Sequence, residues 1–167
     1  MNIPDDYLSR AETWLIITTL AYFMMNGAQI FETAVLVPKW TANPPESFKW
    51  LADTNGTSLK TFWIIVHSLH ELTFIPALIF CWKLVPVRNG LLILLAFHLA
   101  VRGWTLAYFA PNIMEFEKLT TGLGNTADLV KRASLWKILN YIRVGLFILL
   151  SLGLLPLYGK IMSFKTG

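Results

Sequence analysis

Four long apolar runs, at about 13–37, 61–85, 90–110 and 134–157, limit what this chain can fold into more than any other feature. A membrane-spanning helix needs about 20 consecutive, mainly apolar residues, and each run is that long. Each also has punctuation at its ends: Pro38 after the first, Pro86 and Asn89-Gly90 between the second and third, Pro111-Asn112 after the third, and Pro156 and Gly159 at the close of the fourth. The composition agrees, because 55% of the 167 residues are hydrophobic and only 14% charged, where globular domains carry about 25% charged residues. The expected fold is an all-α integral membrane four-helix bundle, a single four-span domain over residues 1–167.

The connections between the runs are unequal. A few residues separate the second run from the third, whereas the first and third are each followed by roughly 23 residues, an unusual length for a structureless loop in a small domain. An even number of spans places both long loops on one face. Asn43-Pro44-Pro45-Glu46, followed by Phe48, Trp50 and Leu51, reads as a short amphipathic lid or as an interfacial anchor helix. Lys83 and Arg88 in the short turn favour cytoplasmic termini by the positive-inside rule, although Lys39, Lys49, Lys60, Lys118, Lys131 and Arg132 sit on the opposite side. The acidic start, Asp5-Asp6, and the length of the first apolar run are unlike a signal peptide, so the first helix is expected to remain in the protein. In a bacterium the location would be the cytoplasmic membrane.

Several functions are disfavoured. The 14 Lys and Arg are scattered rather than gathered into a basic stripe, so no nucleic-acid partner is expected. The single cysteine, Cys81, excludes an intramolecular disulfide and CxxC redox chemistry. Trp14, Trp40, Trp63, Trp82, Trp104 and Trp136 lie near span ends and read as membrane-interface anchors. The expected partners are the bilayer and a lipophilic small molecule, with a homo-oligomer left open.

The informative residues are the polar ones inside the apolar runs: Glu32, His67, His70, Glu71, His98, Arg102 and Arg143, supported by Asn26, Gln29 and Asn140. At about 1.5 Å rise per residue, six of them and Asn140 lie ~8 to ~18 Å from the long-loop end of their span, so all four helices put polar groups in the same half. Helical phase concurs. His67 and Glu71 are i,i+4, His98 and Arg102 are i,i+4, Asn140 and Arg143 are i,i+3, and Asn26, Gln29 and Glu32 step by three. His70 is turned partly toward a neighbouring helix. Each isolated charge at mid-bilayer costs about 2.5–3.5 kcal/mol, so four would cost about 10–14 kcal/mol unless they pair or face water or a ligand. Two readings follow: interhelical glue, or a cavity under the lid lined by Glu32, His67, Glu71, His98, Arg102 and Arg143.

Three chemistries suit such a cavity. His67, Glu71 and His98 could ligate a transition metal, although His67-Ser68-Leu69-His70-Glu71 matches neither HExxH nor the ExxH of di-iron bundles and the arginines oppose a cation. Two histidines could hold a haem with Arg102 or Arg143 on its propionates. Without a cofactor, His67 oriented by Glu71 is a general base and Arg102 stabilises the anion it generates, with Glu32, Asn26, Gln29, His98, Asn140 and Arg143 contacting substrate.

Certain stretches resemble the small four-helix membrane family that includes the fungal anthrone oxygenases. They are Gly27 with Glu32 late in the first run, the Asn43-Pro44-Pro45 loop, Phe62-Trp63 opening the second, and Arg102-Gly103-Trp104-Thr105-Leu106-Ala107-Tyr108-Phe109-Ala110-Pro111-Asn112 closing the third. The resemblance covers about residues 13–155. It implies an oxidoreductase that oxygenates an electron-rich lipophilic aromatic, oxygen attacking a substrate carbanion, with no obligatory cofactor. A non-catalytic haem, metal or lipid binding protein and a structural subunit of a larger complex remain the competing readings.

Overall fold

A computed structural model of the protein describes residues 3–51, 59–119 and 126–166. It contains four helical spans, Asp5–Trp40, Leu59–Phe80, Val85–Lys118 and Thr126–Thr166, each long and apolar enough to cross a membrane. The protein is therefore a multi-pass membrane protein built as an all-α four-helix bundle. Three of the spans exceed the lengths expected from hydropathy. The third has 34 residues, about 51 Å of helix against a hydrocarbon core of about 30 Å, so its end projects beyond the bilayer on the lid side. The connection expected after the third run is consequently helical over most of its length, since one helix continues to Lys118 and the next begins at Thr126.

Pro38 and Pro111 fail as stop signals for a local reason. Proline removes an N–H donor and its ring crowds the carbonyl four residues earlier, which normally ends a helix. Each of these prolines follows a π-helical stretch, Glu32–Leu36 and Thr105–Phe109, whose wider turn lets the backbone pass the proline and continue. The fourth span breaks instead at Gly153-Leu154, between Thr126–Leu152 and Leu155–Thr166.

Packing divides the bundle into two halves. Toward the termini, Leu8, Ala11, Leu15, Cys81, Leu84, Val87, Leu91, Leu154, Leu157 and Ile161 form a closed apolar core. Gly90 helps make this possible: a Cβ there would run into a Leu157 methyl, so the third and fourth spans approach closely at a position that favours glycine. Tyr158 and Lys165 both bond Glu12 and tie the end of the fourth span to the first.

On the lid side a second core gathers Val37, Trp40, Phe48, Phe109, Phe116, Leu129, Ala133 and Trp136. Residues Glu46–Trp50 form a 3₁₀ turn whose Phe48 stacks on Phe116 with ring centroids 4.8 Å apart. Ser47 Oγ donates to the Trp40 carbonyl at 2.6 Å, satisfying an acceptor that the end of the first span leaves free. Trp40 and Trp136, each 3% exposed and 4.8 Å apart, belong to this core and are not interface anchors, which corrects the expectation from their position near span ends. Below the lid, Arg132 donates both Nη1 and Nη2 to Glu115, at 2.8 and 2.6 Å, joining the projecting ends of the third and fourth spans.

Candidate functional site

Between the two cores lies a cavity of about 410 Å³ whose polar lining includes Gln29, Glu32, His67, Arg102 and Arg143, with Trp63, Phe109 and Trp136 among its aromatic walls. All four spans contribute. The π stretches set part of its shape, because Glu32 and Thr105 open them and both face the cavity. A π turn advances the side chains out of the regular helical sequence of faces, which is how a residue within an apolar helix can be aimed at a site.

Of the six residues expected to line one cavity, four do so: Glu32, His67, Arg102 and Arg143. Glu71 and His98 stand behind them. Arg102 Nε donates to Glu71 Oε1 at 3.1 Å, linking the second and third spans. The same carboxylate oxygen lies 3.7 Å from His98 Nε2, and His98 Nδ1 is hydrogen bonded to the Tyr22 hydroxyl at 2.9 Å. The result is a run of groups, Tyr22, His98, Glu71, Arg102, that leads from the bundle centre to the cavity wall.

The expected His67–Glu71 dyad is not what the structure builds. Both residues share a helix face, yet Glu71 is engaged by Arg102 across the helix interface, and His67 Nδ1 is buried without a hydrogen-bond partner. A guanidinium presents a fixed charged donor to the carboxylate, and this outcompetes a neutral imidazole one turn away. His67 instead packs against Trp63, ring centroids 5.5 Å apart, and faces the cavity.

The pairing of arginines with glutamates holds for one pair only. Arg143, 7% exposed, donates Nη2 to Asn140 Oδ1 at 2.7 Å and stacks over Phe109 with its central carbon 4.5 Å from the ring centre. It has no carboxylate within 4 Å among the described residues, and its Nε is unpartnered. Asn140 Nδ2 in turn donates to Thr33 Oγ1 at 3.0 Å, which holds the clamp to the first span. Asn140 thus positions Arg143 and does not line the cavity. Asn26 does not line it either: its Nδ2 donates to Ser151 Oγ at 2.8 Å and to the Phe147 carbonyl at 3.3 Å, a tie between the first and fourth spans.

His70 is 1% exposed and lies against Tyr22, with centroids 4.2 Å apart, and 5.0 Å from the His98 ring. It turns toward the neighbouring helix as expected. Tyr22 was missed by the sequence reading, yet it lies four residues before Asn26 and seven before Gln29, so extending the polar stripe by one helical turn finds it. The aromatic walls were also missed, because tryptophans near span ends have a simpler interfacial reading.

The donor set does not suit a metal. Among the described residues no group of three His, Cys, Asp or Glu side chains is placed to hold an ion. The alternative triad is not assembled, because Arg102 engages Glu71, and Glu71 and His98 stand behind the cavity wall that His67 lines. His70 and His98 lie in ring contact, centroids 5.0 Å apart, without the gap that a macrocycle between these two as axial ligands needs. The chain matches no known protein-family model, no curated protein and no solved structure.

Proposed function

We propose that the cavity is the active site of an integral membrane oxidoreductase that oxygenates a lipophilic aromatic molecule dissolved in the bilayer. The observation that carries this reading is the convergence of His67, Glu32, Gln29, Arg102 and Arg143 on one aromatic-walled space inside an apolar bundle. Charged groups within a span are expensive unless they serve a pathway, a ligand or a reaction, and this cavity gathers three from the apolar runs, Glu32, Arg102 and Arg143, beside a histidine with a free ring nitrogen. The resemblance of Arg102–Asn112 and the preceding stretches to the anthrone oxygenase family points the same way.

In this reading His67 removes a proton from an activated CH₂ of the substrate, and Arg102 and Arg143 stabilise the resulting enolate-like anion. The carbanion carbon attacks dioxygen. The hydroperoxide formed then loses its second C–H proton as the O–O bond breaks, giving a ketone and water, so that the substrate is oxidised and dioxygen is the oxidant. Glu71 contributes through Arg102, holding the guanidinium at the wall. The residues that do this are the chain's own, and no cofactor is required. We further place both termini in the cytoplasm, on the side of the short Lys83–Arg88 turn.

The test is oxygen uptake and quinone absorbance by the purified protein in nanodiscs supplied with anthrone. Wild type should consume oxygen and form anthraquinone, and His67→Ala should slow turnover by about 10²–10⁴-fold, the usual share of a general base. No turnover above the His67→Ala background would remove the oxygenase reading and leave a binding protein.

A further inference from the structure

Among the described residues, one side of the cavity wall is also outer surface. Among its lining residues, Ile64 of the second span and Leu106 and Met114 of the third are also exposed on the outer surface, at 53%, 58% and 45%. Ile64 lies one helical turn beyond His67, and Leu106 one turn beyond Arg102, both toward the lid. The second and third spans pack sparsely on each other although the shortest turn joins them, whereas the first and second pack closely. The Arg102–Glu71 pair bridges the two sparsely packed spans at the inner edge of the opening. The Ile64 and Leu106 side of this gap lies within the apolar runs and meets acyl chains, while Lys60 and Glu117, which also line the cavity, stand at its lid end.

Inside, the two arginines differ. Arg102 has its carboxylate, and Arg143 has a neutral amide, a ring face and an unpartnered Nε. A guanidinium keeps its charge in any protein environment; Glu32 shares the cavity with Arg143 and acts on it from beyond 4 Å without bonding it, so the unpartnered Nε is the donor left open to an anionic oxygen. Asn140, held by Thr33, fixes its direction.

We infer that the cavity takes a lipophilic acid from the bilayer, which enters between Ile64 and Leu106 and seats its anionic oxygen on Arg143. This inference rests on the proposed function only in treating the cavity as the ligand site. It adds the route and the charge of the ligand. The apolar body of such a ligand lies along Trp63 and Phe109, and its acid end reaches the innermost cation.

The probe is 9-anthracenecarboxylate, with 9-methylanthracene as its uncharged counterpart, each titrated by fluorescence against the full chain in nanodiscs of zwitterionic lipid. Neither probe has the activated ring CH₂ of anthrone, so binding is read apart from turnover: a protein that binds as described but leaves anthrone untouched would disprove the oxygenase reading and keep this inference. Wild type should bind the acid at least about tenfold more tightly than the hydrocarbon, and Arg143→Gln should bring the two within about twofold. Arg143→Lys retains the charge without the planar fork and should keep a reduced preference. Leu106→Trp should slow association of the acid several-fold and leave Arg143-dependent selectivity in place. An undiminished preference in either folded Arg143 variant, or no preference in wild type, overturns the anchor; unchanged association in both Leu106→Trp and Ile64→Trp overturns the lateral route.

Discussion

The two ends of this bundle use the same four helices for opposite purposes. Near the termini, alanine, cysteine, leucine and valine side chains are sealed to 4% exposure or less, and Gly90 lets Leu157 approach where a side chain would have to push it aside. Near the lid, the same helices widen through two π stretches and enclose about 410 Å³. Helices in lipid gain little from the hydrophobic effect on meeting one another, so their association depends on close van der Waals packing and interhelical hydrogen bonds. A bundle can therefore hold a hollow in one half only if the other half fixes the helices, and the aromatic core under the lid closes the far end.

The contrast can be strained most by stranding a charge in the hollow half. Arg102→Leu leaves Glu71 without its partner, and should lower stability in detergent by about 2–3 kcal/mol, below the 3–5 kcal/mol of a sealed pair because the Glu71 side chain is 34% exposed. Thermal unfolding followed by circular dichroism reads this directly, and an unchanged midpoint would mean that Glu71 is solvated or protonated. The packed half should respond to volume instead. Gly90→Val drives a branched side chain into Leu157 and should cost about 1–3 kcal/mol, whereas the smaller Gly90→Ala should cost less because the Leu157 methyls at that contact can turn aside. The smallest effect is expected between the halves. Tyr22→Phe removes one hydrogen bond to His98 and should cost about 0.6 kcal/mol, the average for interhelical bonds in a membrane protein, while reducing turnover if the Tyr22–His98–Glu71 run orients Arg102.

The sequence made the division of labour partly visible. Hydropathy marks the four spans because a bilayer imposes a length on each, and Glu32, His67, Arg102 and Arg143 stand out because charge inside such a run has few innocent explanations. Helical phase then says which face each occupies, and four of the six residues expected at the cavity line it. Phase does not say who faces whom across an interface. That is why His67 and Glu71, neighbours on one helix, are separated by the competing claim of Arg102, and why Arg143 found Asn140 on its own helix in place of Glu32. The span ends were misread at Pro38 and Pro111 because a π turn is invisible in composition: it changes the hydrogen-bond register of the helix without a residue type that marks it. Trp40 and Trp136 were misread because the lid that buries them is assembled from three separate segments.

The central claim, a hollow half held by a packed half, is tested most directly by filling each in turn and measuring the unfolding midpoint of both variants under the same conditions. Ile113 lines the cavity, and Val87 lies in the closed core with no exposed surface. Ile113→Phe should leave stability within about 0.5 kcal/mol of wild type, because the larger ring enters open space, while Val87→Phe should cost about 1–3 kcal/mol through overpacking. Equal destabilisation by the two substitutions would contradict the account, since it would mean that the lid half is packed as tightly as the half that carries the termini.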